Sequence, residues 1–294
     1  MTPTPAAGPV QRSAHRAEAL AARLPALLVA AQRVAATVAQ GVHGRRRPGA
    51  GDAFWQFRPF LQGDPTTRID WRQSAKADRA FVREREWATA QSVYLWRDAS
   101  ASMRWSSALA AEEKRARAEL LLLALAALLL RGGERVRLLG AEMPALSGQA
   151  GLEHLAEALL AEPDGGSGLP PDAVVIRHSR VVLIGDFLAP LEEIAASIGR
   201  LAAVPASGHV LQVLDPAEID LPYHGRVRFL GLEAEAETLV PRVEHVRAEY
   251  DRRLAAQIRG LGEVCTGAGF SASLHRTADS PETALLSLYM ALAA

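Results

Sequence analysis

The chain has 294 residues with 33 Lys+Arg against 33 Asp+Glu, so its formal charge is zero; 49% of residues are apolar and 5% aromatic. That length suits one large domain with additions or two smaller ones, with a core built mostly from Ala, Leu and Val. The single Cys265 excludes an intrachain disulfide and a Cys-based zinc site, and fits a reducing compartment.

Charge is unevenly spread. Residues 1–90 hold 14 of the Arg/Lys and 7 of the Asp/Glu, and the rest hold 19 and 26. The basic stretch Arg45-Arg46-Arg47 reads as a solvated loop, and no aromatic platform accompanies it as nucleic-acid binding would require. The N-terminus, Met1 to Val10, lacks the charged and apolar regions of a signal peptide. The longest apolar run, Leu120 to Leu130, is shorter than the roughly 20 residues that span a bilayer. The expectation is a soluble, cytoplasmic chain with no membrane insertion and no nucleic-acid partner.

In chain order, residues 14–40 read as a helix that Pro25 kinks or divides. Residues 42–90 carry Trp55, Trp71 and Trp87, a turn at Gly63-Asp64-Pro65, and an exposed or edge strand over Phe81–Trp87. From residue 91, strands and helices alternate. Strands are predicted at Gln91–Arg97, Arg135–Ala141, Arg180–Gly185, His209–Leu214, Arg226–Leu230 and Phe270–His275. Helices are predicted at 108–131, 151–161, Pro190–Ala203, 239–266 with a break or bend near Gly260 or Gly262, and Pro281–Ala293. This alternation predicts an α/β fold with a mostly parallel central sheet and helices on both faces, plus an N-terminal helix and a small β-containing segment. The boundaries are 1–41, 42–90 and 91–294.

Asp98-Ala99-Ser100-Ala101-Ser102 follows the apolar run Val93-Tyr94-Leu95-Trp96. In an extended loop its alternate side chains share one side, so a carboxylate and two hydroxyls can converge. Oxygen donors of that kind suit Mg²⁺ or another hard divalent cation. Asp186 ends a second buried strand, and functional loops of parallel sheets lie at strand carboxyl ends. The candidate metal ligands are therefore Asp98, Ser100, Ser102 and Asp186. The competing account is an Asx-turn at Asp98 with a serine capping the next helix and no metal.

Two resemblances rest on these residues. Asp98-x-Ser100-x-Ser102 with the later Asp186 resembles the metal-ion-dependent adhesion site of von Willebrand factor type A domains. The segment Gly63-Asp64-Pro65-Thr66-Thr67-Arg68-Ile69-Asp70-Trp71, with Ser74-Ala75 and then Asp98-x-Ser100-x-Ser102-Met103, resembles the bacterial family called domain of unknown function 58. That likeness extends through Asp215-Pro216-x-Glu218 and covers roughly residues 42–292. It implies a type A-like fold over 91–294 and a chaperone-like protein-interaction module. Such a module acts with a MoxR-like AAA+ ATPase to assemble or activate a client protein. The adhesion site usually has a Thr on a further loop, and the matching region, Ser147 to Gly151, offers only Ser147.

No catalytic residue is assigned. The chain has no Gly-x-x-x-x-Gly-Lys phosphate loop, so ATPase activity would belong to a partner, and no Gly-x-Ser-x-Gly elbow. The eight His form no metal pair at helical spacing. The alternative is a metal-dependent hydrolase or phosphatase using Asp98. It is disfavoured because Ser100 stands where an Asp-x-Asp phosphotransfer motif has its second acid. Asp64, Arg68, Asp70 and Arg72 beside Trp71 form a second cluster, read as an ion-pair network at a buried junction, or else as a partner-docking surface.

Overall fold

The computed structural model describes residues 25–39, 54–60, 66, 69–76, 79–85, 90–162, 165–233 and 236–293. Residues 25–39 are helical and are called α1; the rest of the helix predicted over 14–40 lies outside the described residues. The hairpin β1 (Phe54–Pro59) and β2 (Phe81–Arg85) is antiparallel, with α2 (Trp71–Ser74) between its strands. There follow β3 (Ser92–Arg97), a 3₁₀ turn (Ala101–Arg104), α3 (Lys114–Arg131), β4 (Arg135–Leu138), α4 (Gly148–Ala161) and β5 (Arg180–Gly185). Next come α5 (Leu191–Ala202), β6 (Ser207–Leu214), α6 (Pro216–Asp220), β7 (Val227–Phe229) and β8 (Thr238–Val240). The chain closes with α7 (Val243–Gly267), β9 (Phe270–Arg276) and α8 (Pro281–Ala293).

The central sheet has the order β4-β3-β5-β6-β9, and every pairing in it is parallel. Its inner strands β3, β5 and β6 are buried on both faces, and alternate residues divide between two cores. Val93, Leu95, Val182 and Ile184 face one side, where α1, α3, α4 and α8 pack. Tyr94, Trp96, Val181 and Leu183 face the other, against α5 and α7. Helix α3 is sandwiched between sheet and outer helices, so Leu121 to Leu130 is buried on all sides. Ala31, Val34, Ala35 and Val38 of α1 belong to that same core.

Some boundaries differ from the sequence reading, for physical reasons. Helix α3 starts at Lys114 and not at residue 108, because Ser107 gives both its backbone N–H and its hydroxyl to Asp215. The Arg226–Leu230 strand exists as β7 but pairs with β8 outside the central sheet. Helix α7 runs unbroken through Gly260 and Gly262. A Cβ at Gly260 would lie 2.3 Å from Leu191 Cδ1, so the glycine lets α5 and α7 approach closely. That packing outweighs the ~1 kcal/mol propensity cost of glycine in a helix.

Gly208 of β6 pairs with Phe270 of β9, and a Cβ there would lie 2.3 Å from the Phe270 ring. Gly208→Ala is expected to destabilise the protein by about 1–3 kcal/mol through overpacking. Urea unfolding should show that loss, and adding Phe270→Leu should recover part of it.

Candidate functional site

The site lies where the strand order reverses. From β3 the chain goes outward to β4, then returns to β5 on the other side and continues to β6 and β9. The loops leaving β3 and β5 therefore part in opposite directions, and a crevice opens beyond their carboxyl ends. Arg97 is opposite Ile184 in the register, and Asp98 N–H donates to the Ile184 carbonyl at 2.8 Å. Asp98 and Asp186 thus lie at the same sheet edge, as their positions at the ends of two parallel strands predict. Gly185 permits it: a Cβ there would lie 2.9 Å from Asp98 Cβ.

Within the crevice, Asp98 is fully buried. Its Oδ1 accepts the Ser100 N–H at 2.7 Å, which is the Asx-turn of the competing account. Its Oδ2 is buried with no hydrogen-bond partner. Ser102 Oγ donates to Asp186 Oδ2 at 2.6 Å and lies 3.0 Å from Ser100 Oγ, so the Ser100 hydroxyl is left to donate to Ser102. All four candidate ligands form one connected group. Burial, and next the charge of Asp186, hold the Asp98 carboxyl up at about 6, although the neighbouring Ser100 hydroxyl and N–H work the other way.

The surrounding loops are held firmly. Phe187, just after Asp186, has φ 48°, a costly conformation for a side chain of its size. It is fixed by burial against Trp96, at 6.1 Å between ring centroids, and by Gln257 of α7, which donates to the carbonyls of Phe187 and Ala189. Gln212 of β6 donates to the Asp186 carbonyl at 2.8 Å. Arg97, buried behind Asp98, bonds the Leu159 carbonyl and pairs with Glu162, anchoring the end of α4.

Sequence reasoning missed Lys114. Its Nζ donates to Asp186 Oδ2 at 3.0 Å and to Glu218 Oε1 at 2.6 Å, and the side chain is fully buried. A cation at a helix N-terminus opposes the helix dipole, so its place is set by these two acids and not by α3. Burial works against its charge, but Asp186 and Glu218 outweigh it and hold the ammonium above its ordinary value. Burial pushes the Glu218 carboxyl up, and Lys114 only partly offsets this. The available signal was composition, for Lys76 and Lys114 are the chain's only lysines among 33 basic residues. A second signal was Asp215-Pro216-Ala217-Glu218, a capping box in which Asp215 accepts the Ala217 N–H and Glu218 Oε2 accepts the Asp215 N–H. The other Glu218 oxygen is thereby aimed at Lys114.

Ser147 does not join the site. It is exposed at the start of α4, next to Leu146, which bridges Val136 of β4. Val136 is level with Val93, roughly 16 Å along the strand from Asp98. The loop that does approach is 165–169: a Cβ at Gly168 would lie 3.8 Å from both Asp98 Oδ2 and Ser100 Oγ. It brings no hydroxyl, since the Ser167 side chain bonds within its own loop to Leu169.

In the second predicted cluster, Asp64 and Arg68 lie outside the described residues. Asp70 caps α2 through the Gln73 N–H at 2.9 Å. Trp71 is 70% exposed and Arg72 is also exposed, so neither is part of a buried junction.

Among the described residues no three His, Cys, Asp or Glu side chains gather as a metal-binding group. The oxygens here are two carboxylates and two hydroxyls, a hard set that could hold Mg²⁺, with the unpartnered Asp98 Oδ2 as the structural indication. A pocket of about 470 Å³ lined by Trp96, Ala99, Leu139, Gly168 and Leu169 lies nearby, and none of the four oxygen-bearing residues lines it. Among the described residues no helix is long and apolar enough to cross a membrane.

These features define an α/β protein with a polar crevice at the switch point of a parallel sheet. The chain belongs to the family DUF58, described as "Protein of unknown function DUF58", whose model matches residues 56–259. It is 27% identical over 267 residues to proteins of Mycobacterium tuberculosis and Mycobacterium bovis, both called uncharacterized, across 85% of this chain and 82% of theirs. A crystal structure of an aerotolerance-related membrane protein from Bacteroides fragilis, with multiple mutations to serines, is 15% identical. It covers 69% of this chain and 99% of that one with a TM-score of 0.38, too distant a likeness to inform architecture or function.

Proposed function

We propose that the protein is a non-enzymatic interaction module whose crevice binds a divalent cation, Mg²⁺ foremost, and through it a carboxylate of a partner. The observation carrying this reading is the Asp98 carboxyl: fully buried, one oxygen without a partner, and beside Ser100, Ser102 and Asp186. A cation would supply the charge that this oxygen lacks, and neutral hydroxyl ligands would leave it electrophilic toward a further oxygen. The resemblance to type A domains supports the same site. The family resemblance supports a MoxR-like AAA+ ATPase as partner, with assembly or activation of a client as the joint task.

Calorimetric titration with Mg²⁺ tests the site. Wild type is expected to bind and Asp98→Ala to lose at least tenfold in affinity. Equal heats for the two proteins would remove the cation reading. Phosphoester turnover abolished in Asp98→Asn would instead support the hydrolase.

A further inference from the structure

Glu233 lies just beyond β7, 131 residues after Ser102 in sequence, yet its Oε1 accepts the Ser102 backbone N–H at 3.2 Å. Its charge is also among those that raise the Asp98 carboxyl. A carboxylate of this chain thus stands at the mouth of the crevice, against the loop that carries Ser100 and Ser102. The residues before it, Leu230 and Leu232, are 66% and 49% exposed, so no core holds them there. The β7–β8 hairpin has strands of only three residues. A Tyr223–Phe229 ring contact lies beside it, and an exposed Arg228–Glu237 pair joins its two sides.

We propose that Glu233 is an internal competitor: it holds the place of the partner's carboxylate, and an acidic partner segment with an apolar residue before the acid displaces it. This rests on the cation reading above. A group tethered in the same chain acts at an effective concentration in the mM range, enough to suppress a weak ligand about tenfold or more.

The test uses the full chain and, as probe, the acetylated and amidated peptide Val-Arg-Phe-Leu-Gly-Leu-Glu, which copies residues 227–233. Calorimetry is run with Mg²⁺ and with EDTA on wild type, Glu233→Gln and Glu233→Ala. Both variants are expected to melt as wild type does, because Glu233 is exposed. In Mg²⁺ they should bind the peptide at least about tenfold more tightly than wild type, and EDTA should abolish the difference. Mg²⁺ binding by all three proteins with equal peptide affinity, or with none, would overturn the competitor role and leave the cation reading standing. No Mg²⁺ heat in wild type or in either variant would overturn both.

Discussion

Lys114→Met is expected to destabilise the protein at pH 7 by about 3–5 kcal/mol, the usual cost of removing one partner from a buried ion pair. For a chain of this size the melting temperature should fall by on the order of 10 °C. The ammonium touches Asp186 and Glu218 together, so without it two carboxylates face each other across a buried gap. One of them must then take up a proton. Burial already pushes Glu218 up, and loss of Lys114 pushes it further. The deficit should therefore shrink as pH falls from 7 to 5, where protonation relieves the repulsion. Lys114→Met with Glu218→Gln should be more stable than Lys114→Met alone, and the coupling in that double-mutant cycle measures the network. Urea unfolding at both pH values provides the check. Under the cation reading, Mg²⁺ should restore more stability to the variant than it adds to wild type, because a divalent ion would then neutralise Asp186 in place of the ammonium.

Stability should also carry a large acid-sensitive component from two buried histidines. His209 lies between the hydroxyls of Ser271 and Ser273, at 2.8 Å from each, and burial lowers it to about 4. His275 is lowered to about 4 by burial and by Arg117, whose guanidinium is 3.2 Å from Nε2. Both fold as neutral rings, and the unfolded rings titrate near 6.5. The unfolded state thus binds more protons below 6.5, so this stability is complete above 6.5 and lost as pH falls toward 4. Each ring accounts for about 3 kcal/mol over that window. Asp98 acts with the opposite sign: held up at about 6, its penalty is relieved as pH falls through that value. The histidine component is isolated by comparing wild type with His209→Gln/His275→Gln at pH 7.5 and 4.5. The gap between the two proteins should change by several kcal/mol in favour of the variant at acid pH. A gap that does not vary with pH would show that the rings are protonated or solvated in the folded state.

Much of the fold was legible because its signals are local. Buried strands such as Arg180–Gly185 are short β-branched runs, and α8 begins at Pro281 as read. Asp98 and Asp186 could be placed on one sheet edge because strands separated by helices must run parallel. Less legible were features set by distant groups. The start of α3 depends on Asp215 holding Ser107, and the continuity of α7 depends on Leu191 filling the space that Gly260 leaves. The exposure of Trp71 was missed because an aromatic beside charges reads alike for a junction and for a surface.

By itself, the sequence determined the strand and helix alternation and the oxygen-rich loop Asp98–Ser102, since both follow from side-chain periodicity over a few residues. Only the tertiary structure decided what surrounds that loop. It put the ammonium of Lys114 on Asp186, left Asp98 Oδ2 without a partner, brought Gly168 where a hydroxyl was sought, and laid Glu233 against Ser102. These groups lie up to 131 residues apart. Their meeting depends on strand order and on which distant loops come together, which no local pattern encodes.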